Sequence, residues 1–252
     1  MLASERHQLI LKLLDERGSL RTADLAAELA VTDETVRRDF QALAEAHQLT
    51  RTHGGATSLS GRPKLQSFTE RRAIRVDEKR AIASAALKLI EPGMTYAFDS
   101  STTAFELVLM LPDLPYRVVT NAYAVMDHLI RMDHMELVFT GGKYQPKSQT
   151  FVGSDSGAAL RRHKINVAFV SCVGMDVNRG ASESFEEQAG FKEVLVDLAE
   201  EVVLLVDSKK LNQRAEYFFA ETRSITKVIT DKAADPVILD ELRNEGCEIT
   251  LA

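Results

Sequence analysis

Residues 31–43 read VTDETVRRDFQAL, and their apolar positions follow the period of an α-helix. Val36, Phe40 and Leu43 recur at i, i+4 and i+7, which places them on one helical face. Thr32 precedes this run, and a threonine there favours a helix start because its hydroxyl can accept a hydrogen bond from a free backbone N–H. The stretch therefore predicts an amphipathic helix that begins after Thr32.

Two helices are predicted before this one. The first covers about residues 5–16 and ends near Gly18, since glycine commonly terminates a helix. Its apolar face consists of Leu9, Ile10, Leu13 and Leu14. Thr22 is expected to cap a second, shorter helix. Only Ala30 and Val31 separate the second helix from the third, and this close connection predicts a helix-turn-helix, whose second helix enters the major groove of DNA.

A hairpin is predicted directly after the third helix. Residues 49–56 read LTRTHGGA, a short strand-like run followed by a glycine turn. A hairpin in this place is the wing of a winged helix-turn-helix.

The start of the third helix carries the residues expected to contact DNA, namely Thr32, Thr35, Arg37 and Arg38. Arg38 follows Thr35 by three positions, so both lie on the face opposite the apolar stripe. Arginine can bridge guanine O6 and N7, which is the commonest specific base contact.

The same arginines have a second interpretation as part of a solvated helix face. Asp33 with Arg37 and Glu34 with Arg38 are i, i+4 pairs with the acid first, the orientation that stabilises an isolated helix. Each such pair contributes only about 0.2–0.5 kcal/mol. Pairing of this strength in the free protein does not prevent an arginine from contacting DNA.

The helix and the hairpin together resemble the signature of DeoR-type bacterial transcriptional regulators. The resemblance combines a Thr-Val-Arg-Arg-Asp core at residues 35–39 with an Arg-x-His-Gly-Gly wing at residues 51–55. It implies a winged helix-turn-helix that binds double-stranded operator DNA. It also implies that Arg51 and His53, with Gly54 beside them, contact the DNA backbone or minor groove. Asp39 and Phe40 are assigned to holding the helix in place.

Composition is consistent with a globular protein of more than one domain. The chain has 252 residues, 45% of them apolar and 27% charged, and exceeds the roughly 150 residues usual for one domain. The net charge of -6 by itself disfavours binding to nucleic acid. However, residues 51–80 contain eight basic and three acidic residues, so the acidic excess lies elsewhere.

Several classes of protein are disfavoured by what the sequence lacks. The chain starts with polar residues, and no window approaches the roughly 20 apolar residues of a membrane helix, which predicts a cytoplasmic protein with no membrane partner. Cys172 and Cys247 lie in apolar runs without the spacing of a zinc or redox site. The six histidines show no ligand spacing, so no metal is predicted. Without a GxGxxG or P-loop motif, no nucleotide cofactor is expected either.

The domain organisation follows from these patterns. A DNA-binding domain is predicted over residues 1–57, a linker over residues 58–76, and an effector and oligomerisation domain over residues 77–252. The linker contains Ser58, Ser60, Gly61 and Pro63 and shows neither helical nor strand periodicity.

The third segment alternates strands with helices, which predicts an α/β domain with a Rossmann-like parallel sheet. Strands are predicted at residues 95–98, 117–120, 136–140, 167–173, 202–206 and 228–230. Helices are predicted at residues 78–90, 103–110, 123–131, 186–199 and 236–245.

Polar and small residues follow several of these strands. Ligands of parallel sheets bind beyond the carboxyl ends of the strands, and hydroxyls near a helix start make a phosphate cradle. Residues 99–103 fit this description, although ordinary helix capping is the favoured explanation for them in isolation. Polar or small residues also occur at the ends of other predicted strands, namely Thr120, Asn121, Gly141, Gly142 and Gly174. The presence of such residues at several strand ends favours a ligand site.

This segment resembles the DeoR-type effector domain, which is itself similar to ribose-5-phosphate isomerase and other phosphosugar isomerases. The resemblance implies a bound phosphorylated sugar. The ligand-binding residues it indicates are Asp99, Ser100, Ser101, Thr102, Thr103, Thr120, Asn121, Gly141, Gly142, Gly174, Asp176, Ser182, Glu187 and Lys192.

Two functions remain open at this point, and a regulator is favoured. Asp176, Glu187 and Lys192 are of the types that catalyse isomerisation of a sugar phosphate, so the alternative is a phosphosugar isomerase carrying a DNA-binding tether. Turnover would destroy the signal that a regulator reports. The sequence therefore predicts a repressor of a carbohydrate-utilisation operon, not an enzyme, that a phosphorylated sugar releases from its operator. A homo-oligomer, dimer or tetramer, is expected because paired recognition helices read repeated half-sites. A third hypothesis is an architectural DNA-binding protein indifferent to metabolites.

Overall fold

The computed structural model describes residues 2–46, 48–58 and 66–252. The chain divides into two compact units, Met1–Gln66 and Ser67–Ala252.

The first unit consists of three helices and a small antiparallel sheet. Its elements in chain order are α1 (Ala3–Arg17), β1 (Ser19–Arg21), α2 (Thr22–Leu29), α3 (Asp33–Glu45), β2 (Thr50–Thr52) and β3 (Gly55–Thr57). The three strands have the order β1-β3-β2. The predicted helix-turn-helix is therefore present as α2 and α3, and the hairpin as β2 and β3.

The helices pack around one apolar core. The core includes Ile10, Leu14, Leu25, Val36 and Phe40, each at most 1% exposed. These are the positions that helical periodicity assigns to the buried faces.

The two predicted caps have different outcomes. Thr32 caps α3, and its hydroxyl accepts a hydrogen bond from the Thr35 N–H at 3.3 Å. Thr22 does not cap α2: it is the first residue of that helix and is buried, and Arg21 takes the cap position without a side-chain hydrogen bond. Arg21 also belongs to β1, which pairs with β3, so the strand leads directly into α2.

The second unit is built on a seven-stranded parallel sheet. Its strands are β4 (Thr95–Phe98), β5 (Arg117–Thr120), β6 (Glu136–Phe139), β9 (Ile165–Val170), β12 (Ala199–Leu205), β14 (Lys227–Thr230) and β15 (Glu248–Leu251). Their order is β15-β14-β12-β9-β4-β5-β6, and each neighbouring pair is parallel. This confirms the predicted fold class.

Further strands form two smaller sheets. One is the hairpin of β7 (Lys143–Gln145) and β8 (Thr150–Val152), and the other joins β10 (Gly174–Asp176), β11 (Gly180–Glu183) and β13 (Tyr217–Ala220). The sequence did not predict these strands, which are only three or four residues long.

Helices cover both faces of the central sheet. They are α4 (Phe68–Arg72), α5 (Val76–Ala86), α6 (Thr102–Val108), α7 (Tyr123–Leu129), α8 (Ser154–Leu160), α9 (Glu186–Leu198) and α10 (Pro236–Asn244). Side chains alternate along a strand, so Phe169 and Ala168 of β9 face different cores. The core of Phe169 includes Ile82, Leu107 and Val125, from α5, α6 and α7. The core of Ala168 includes Leu160, Leu195 and Leu239, from α8, α9 and α10.

Part of the predicted linker is structured instead. Residues 67–76 belong to the second unit, and α4 lies within them. Phe68 is 5% exposed and packs edge-on against Phe105, with the ring centroids 5.5 Å apart. A five-residue helix is too short to show periodicity in the sequence. The contact that holds α4 in place is made with α6, which lies more than 30 positions later in the chain. Residues 59–65 of the predicted linker lie outside the described residues.

Within the described ranges, no helix is long and apolar enough to cross a membrane.

Candidate nucleic-acid and ligand sites

The exposed face of α3 carries the arginines predicted to contact DNA. The side chains of Arg37 and Arg38 are 56% and 80% exposed. Arg38 Nε lies 3.3 Å from Glu34, and Arg37 lies 3.9 Å from Asp33. Exposed pairs of this kind contribute little to stability, so both guanidinium groups are available to another anion. Thr32 and Thr35 lie at the start of the same helix, with their hydroxyl oxygens 2.9 Å apart.

A buried carboxylate positions α3 against α1. Asp39 is 4% exposed and accepts hydrogen bonds from Arg6 at 2.5 and 2.9 Å. Its Oδ1 also lies 3.0 Å from His7 Nε2. Burial acts to raise the pKa of Asp39, but the hydrogen bonds from Arg6 and His7 outweigh it and hold the pKa below its ordinary value. Asp39 thus has the structural part that the sequence assigned to it.

A hydrogen bond connects the wing to α3. Arg51 of β2 donates to Gln41 Oε1 of α3 at 2.7 Å. His53 and Gly54 form the exposed turn between β2 and β3. Gly55 follows in close contact with the sheet, since a Cβ there would lie 2.1 Å from the Leu20 carbonyl oxygen. The seven predicted DNA contacts therefore all lie on α3 or the wing of the first unit, or at the α3 cap.

A buried lysine is the centre of the candidate ligand site in the second unit. Lys192 of α9 is 3% exposed, and its Nζ lies 3.0 Å from Asp99 Oδ2. It also pairs with Glu183 and donates to the Ser171 carbonyl at 2.6 Å. Burial acts to lower the pKa of Lys192, but Asp99 and Glu183 outweigh it and raise the pKa above its ordinary value. Lys192 is therefore a charged group held in place by two carboxylates.

Asp99 uses its oxygens to connect two strand ends. Its Oδ1 accepts from the Ser101 N–H and its Oδ2 from the Ser171 N–H, each at 2.9 Å. The carboxylate thus joins the loop after β4 to the end of β9, as well as binding Lys192. This geometry makes Asp99 a positioning residue for the site.

The loop after β4 is buried, and only some of its polar groups have hydrogen-bond partners. Ser100, Ser101, Thr102 and Thr103 are each at most 7% exposed. Ser101 caps α6, accepting from the Ala104 N–H at 3.2 Å, as the capping interpretation expects. Thr103 differs, because its Oγ1 is buried without a hydrogen-bond partner.

Buried polar atoms without partners also follow the two strands beside β4. They are Asn121 Oδ1, after β5, and Ser171 Oγ, after β9. Strands β9, β4 and β5 are neighbours and parallel, so these atoms and Thr103 Oγ1 follow three adjacent carboxyl ends. We call the three atoms the unsatisfied group. A buried polar atom without a partner costs about 1–3 kcal/mol, which a polar ligand would offset.

Their immediate neighbours are satisfied internally. Asn121 Nδ2 donates to the Phe151 carbonyl at 2.8 Å. Thr120 donates to the Phe98 carbonyl at 2.9 Å and accepts from the Ala122 N–H at 3.1 Å, so Thr120 has a structural part at the end of β5.

Three predicted ligand residues form a separate group in the β10–β11 hairpin. Asp176 pairs with Arg214 at 2.6 Å and accepts from the Asn178 and Arg179 N–H groups. Burial acts to raise the pKa of Asp176, but these hydrogen bonds lower it below its ordinary value. Ser182 donates to the Gly174 carbonyl at 3.1 Å and accepts from the Ala215 N–H at 2.8 Å.

Gly174 allows a close approach of the loop beside this hairpin. A Cβ on Gly174 would lie 2.5 Å from the Gln213 carbonyl oxygen. Together, Gly174, Asp176 and Ser182 hold residues 213–215 against the hairpin, and their hydrogen bonds are made within the protein.

One of the two glycines after β6 is in a tightly packed position. Gly142 has a φ of +118°, and a Cβ there would lie 2.7 Å from the Val152 carbonyl oxygen. Gly141 has a φ of +65° and open space around it. The preceding Thr140 makes a 2.8 Å hydroxyl contact with Ser156, which ties the end of β6 to α8.

The carboxylate that pairs with Lys192 is not one that the sequence analysis selected. Glu187, which the family resemblance indicates as a ligand contact, lies exposed in the first turn of α9 and stays a prediction. Glu183 of β11, which the sequence analysis did not select, is 6% exposed and pairs with Lys192. Motif spacing could not reveal this, because the pair joins a strand of the small sheet to α9.

More basic residues near the site were also missed as candidates. Lys79 of α5 is buried and donates to the carbonyls of Arg71 and Ile74 at 2.5 and 2.6 Å. Burial, followed by the nearby Lys210, lowers the pKa of Lys79 to about 8. Lys210 donates to the Cys172 carbonyl at 2.9 Å, and Arg75 Nε lies 3.1 Å from Asp207.

In the described part of the chain, no group of three or more His, Cys, Asp or Glu side chains could hold a metal ion. Cys172 and Cys247 are both buried, and burial raises the pKa of Cys247 to about 11.

Comparison with protein families gives a match to each part of the chain. A DeoR-like helix-turn-helix domain matches residues 6–62, and a DeoR C terminal sensor domain matches residues 74–232.

Curated relatives match over nearly their whole length. The uncharacterized HTH-type transcriptional regulator YulB of Bacillus subtilis is 34% identical over 99% of this chain and 97% of its own. The L-fucose operon activator of Haemophilus influenzae is 32% identical over 90% of this chain and 92% of its own. The putative aga operon transcriptional repressor of Escherichia coli O157:H7 is 31% identical over 98% of this chain and 93% of its own.

Solved structures are more distant. Ribose 5-phosphate isomerase A from Methanocaldococcus jannaschii is 17% identical, with a TM-score of 0.41 over 54% of each chain. At this level of similarity the isomerase says nothing about the ligand or the activity of this chain.

Proposed function

The chain belongs to the DeoR family of helix-turn-helix transcriptional regulators, and on that premise we propose that it represses a carbohydrate-utilisation operon. In this proposal the first unit binds operator DNA in the cytoplasm. A phosphorylated sugar binds the second unit and releases the protein from the operator.

The exposed face of α3 supports the DNA-binding half of the proposal. Thr35, Arg37 and Arg38 supply hydroxyl and guanidinium donors at the start of a recognition helix, the part that meets base edges. Arg38 suits a base contact, because its 80% exposed side chain can reach guanine O6 and N7. Arg51 and His53 of the wing suit contacts with phosphate or the minor groove.

The unsatisfied group is the single observation that carries the ligand-binding half. Thr103 and Ser171 offer hydroxyl donors, which suit phosphate oxygens, and Asn121 Oδ1 is an acceptor, which suits a sugar hydroxyl. The three atoms lie after adjacent parallel strands, the usual place for a ligand in this kind of sheet. Ser100 and Thr102 line the same loop.

Binding rather than catalysis is favoured by the state of the candidate catalytic groups. Lys192 is charged and fully engaged with Asp99 and Glu183, so it is not a free base. Asp176 is engaged with Arg214, and Glu187 is exposed on α9. An isomerase needs a base that can accept a substrate proton, whereas Lys192 and Asp176 are engaged within the protein. We therefore propose a regulator without enzymatic activity and without a cofactor beyond its effector.

Release requires that the effector prefer one state of the protein. A ligand with equal affinity for the DNA-bound and free states shifts nothing, however tightly it binds. The proposal therefore includes a tighter complex between the sugar phosphate and the DNA-free state. It also includes a homo-oligomer, because two recognition helices on a symmetric assembly read paired half-sites.

A gel-shift titration tests this function directly. The full chain is titrated onto DNA from upstream of its own gene, with and without a panel of sugar phosphates and the matching unphosphorylated sugars. At least one sugar phosphate is expected to weaken DNA binding about tenfold or more, while its unphosphorylated form has no effect. Thermal unfolding with the same panel identifies the compounds that bind, since a specific ligand stabilises the folded state.

Three outcomes would contradict parts of the proposal. If a sugar phosphate stabilises the protein but DNA binding is unchanged, the protein is not released by its ligand. Tighter DNA binding with the sugar phosphate would indicate an activator, the direction named for the Haemophilus influenzae relative. Efficient turnover of a sugar phosphate in a coupled isomerase assay would favour the tethered enzyme instead.

A further inference from the structure

We propose that Arg71 of α4 binds the anionic group of the effector, and that this contact couples α4 to ligand occupancy. The inference rests on the proposed function and adds to it a residue that neither motif nor family resemblance selected as a ligand contact.

Arg71 presents buried hydrogen-bond donors with no partner. Its Nε and Nη2 atoms are buried and make no hydrogen bond. Two nearby arginines have a carboxylate within ion-pair distance: Arg72 Nε lies 3.6 Å from Glu106, and Arg75 Nε lies 3.1 Å from Asp207. Among the described residues, no carboxylate lies within ion-pair distance of Arg71. A buried guanidinium without a counter-ion is costly unless an anion binds it.

Two carboxylates of the candidate ligand site act electrostatically on Arg71. Burial lowers the pKa of Arg71, and the carboxylates that act against this effect are Glu183 and Asp99. Both carboxylates already bind Lys192. They attract Arg71 without forming an ion pair with it, so its donors remain available for an incoming anion.

Packing holds α4 against the helix that follows the phosphate-type loop. Phe68 packs edge-on against Phe105 of α6, and Arg72 lies 5.0 Å from the centroid of the same ring. The Phe68 N–H also donates to the Lys147 carbonyl at 2.7 Å. Because α6 begins at Thr102, Arg71 projects from a helix that is anchored next to residues 99–103.

The chemistry of the surrounding donors favours a phosphate group. A guanidinium binds two oxygens of a phosphate or carboxylate at once. The hydroxyl groups of Thr103, in α6 after β4, and of Ser171, after β9, also lack hydrogen-bond partners. Together these groups supply donors to several oxygens of one anion, which fits a phosphate monoester better than a neutral sugar hydroxyl.

The position of α4 in the chain gives this contact a regulatory consequence. It is the first helix of the second unit, which begins at Ser67. Helices of five residues are marginally stable on their own, so their order depends on tertiary contacts. A ligand bound by Arg71 adds such a contact and stabilises α4 in one position. In this proposal the DNA-free state has α4 in that position, so the ligand binds the DNA-free state more tightly than the DNA-bound state, as release requires.

Inorganic phosphate is the probe that tests the assignment. Its binding to the full chain is measured by calorimetry for the wild type, Arg71→Gln, Arg71→Lys and the control Arg223→Gln. Arg71→Gln is expected to weaken binding about tenfold or more, and Arg71→Lys less, because lysine keeps the charge but not the bidentate geometry. Arg223→Gln removes the same charge at an exposed position and is expected to stay within about twofold of the wild type.

Hydrogen exchange provides the second readout. Phosphate is expected to slow amide exchange at residues 68–73 in the wild type and in Arg223→Gln, and to leave it unchanged in Arg71→Gln. Circular dichroism checks that each variant is folded. Should Arg71→Gln fail to fold, Arg71→Lys decides the assignment, since wild-type phosphate affinity in that variant would overturn the need for a guanidinium.

The outcomes separate this inference from the function on which it rests. Equal phosphate affinity in Arg71→Gln and the wild type, or no phosphate binding by the wild type, would overturn the role of Arg71. Unchanged exchange at α4 on phosphate binding would overturn the coupling. If sugar phosphates still release the DNA in these cases, the proposed function stands without Arg71, whereas a lack of release in the wild type rejects that function directly.

Discussion

Lys192 Nζ lies 3.0 Å from an Asp99 carboxylate oxygen, and the two side chains are 4% and 0% exposed. Glu183 completes the arrangement, which we call the Lys192 cluster. It joins α9 and β11 to the end of β4, at the carboxyl edge of the sheet. Replacing one partner of a buried ion pair leaves an uncompensated buried charge, so the cluster is expected to be sensitive to single substitutions.

Lys192→Met is expected to destabilise the second unit by about 3–5 kcal/mol, because Asp99 and Glu183 would be left close together without a cation. The free energy of unfolding is measured by urea denaturation followed by circular dichroism. The control is Lys164→Met, which removes an exposed lysine 2.8 Å from Glu200 and is expected to leave stability near that of the wild type. Equal stability of Lys192→Met and wild type would contradict the cluster.

Glu183→Gln and Glu187→Gln compare the carboxylate that pairs with Lys192 with the one that family resemblance indicates as a ligand contact. Glu183→Gln is expected to cost about 1.5–3 kcal/mol, the usual value of a hydrogen bond to a charged group. Glu187→Gln is expected to leave stability and phosphate binding unchanged, because Glu187 is exposed. Both are measured by urea denaturation and phosphate calorimetry. A larger effect of Glu187→Gln on phosphate binding would support Glu187 as a ligand contact.

Asp39 is expected to make the stability of the first unit depend on pH. Burial raises and hydrogen bonds from Arg6 and His7 lower its pKa, with a net shift below the ordinary value. A lowered pKa in the folded state stabilises above the unfolded pKa of about 3.9, and this contribution is lost as the pH falls through the folded value. Asp39→Asn is therefore expected to be less stable than the wild type at pH 7 by about 1.5–3 kcal/mol.

The difference between Asp39→Asn and the wild type should shrink as the pH falls below about 4. Thermal unfolding followed by circular dichroism at about pH 7, 5 and 3 checks this dependence. Asp24→Asn, at an exposed position of α2, serves as the matched control and should show no such trend. A stability difference for Asp39→Asn that is constant with pH would show that the carboxylate charge is not what holds α1 to α3.

Arg38→Ala is expected to weaken operator binding by about 1–3 kcal/mol, the cost of losing a bidentate base contact. The measurement is a gel-shift titration on the upstream DNA. Arg243→Ala removes one exposed positive charge from α10 and controls for net charge, and it should bind DNA as the wild type does. Wild-type affinity in Arg38→Ala would show that this arginine belongs to the solvated face formed with Glu34.

Most of the fold could be predicted because it depends on residues that are close in sequence. The apolar period of α3 and the cap at Thr32 are local, and both agree with the structure. The strands at residues 95–98 and 117–120 were predicted with the observed bounds, since they are short apolar runs between polar turns. Strands such as β10 and β11 were missed because they are three or four residues long and their pairing partners, not their composition, define them.

The candidate site could be predicted only in part. Polar residues after parallel strands indicated which edge of the sheet to examine, and Asp99 and Lys192 were selected on that basis and by family resemblance. Their contact with each other, and the choice of Glu183 over Glu187, depend on how α9 packs on the sheet. The same is true of Arg71, which lies in a stretch that reads as a linker until Phe68 is seen packed against Phe105.

Periodicity, capping residues and a compact motif were enough to establish a winged helix-turn-helix followed by a parallel α/β domain, because helices and strands are specified by neighbouring residues. The folded chain alone established which charges are paired and which polar atoms lack a partner. Asp99 and Ser171, whose backbone N–H it binds, are 72 residues apart in the chain. Contacts over such distances arise from the order of strands in the sheet, which no local pattern encodes.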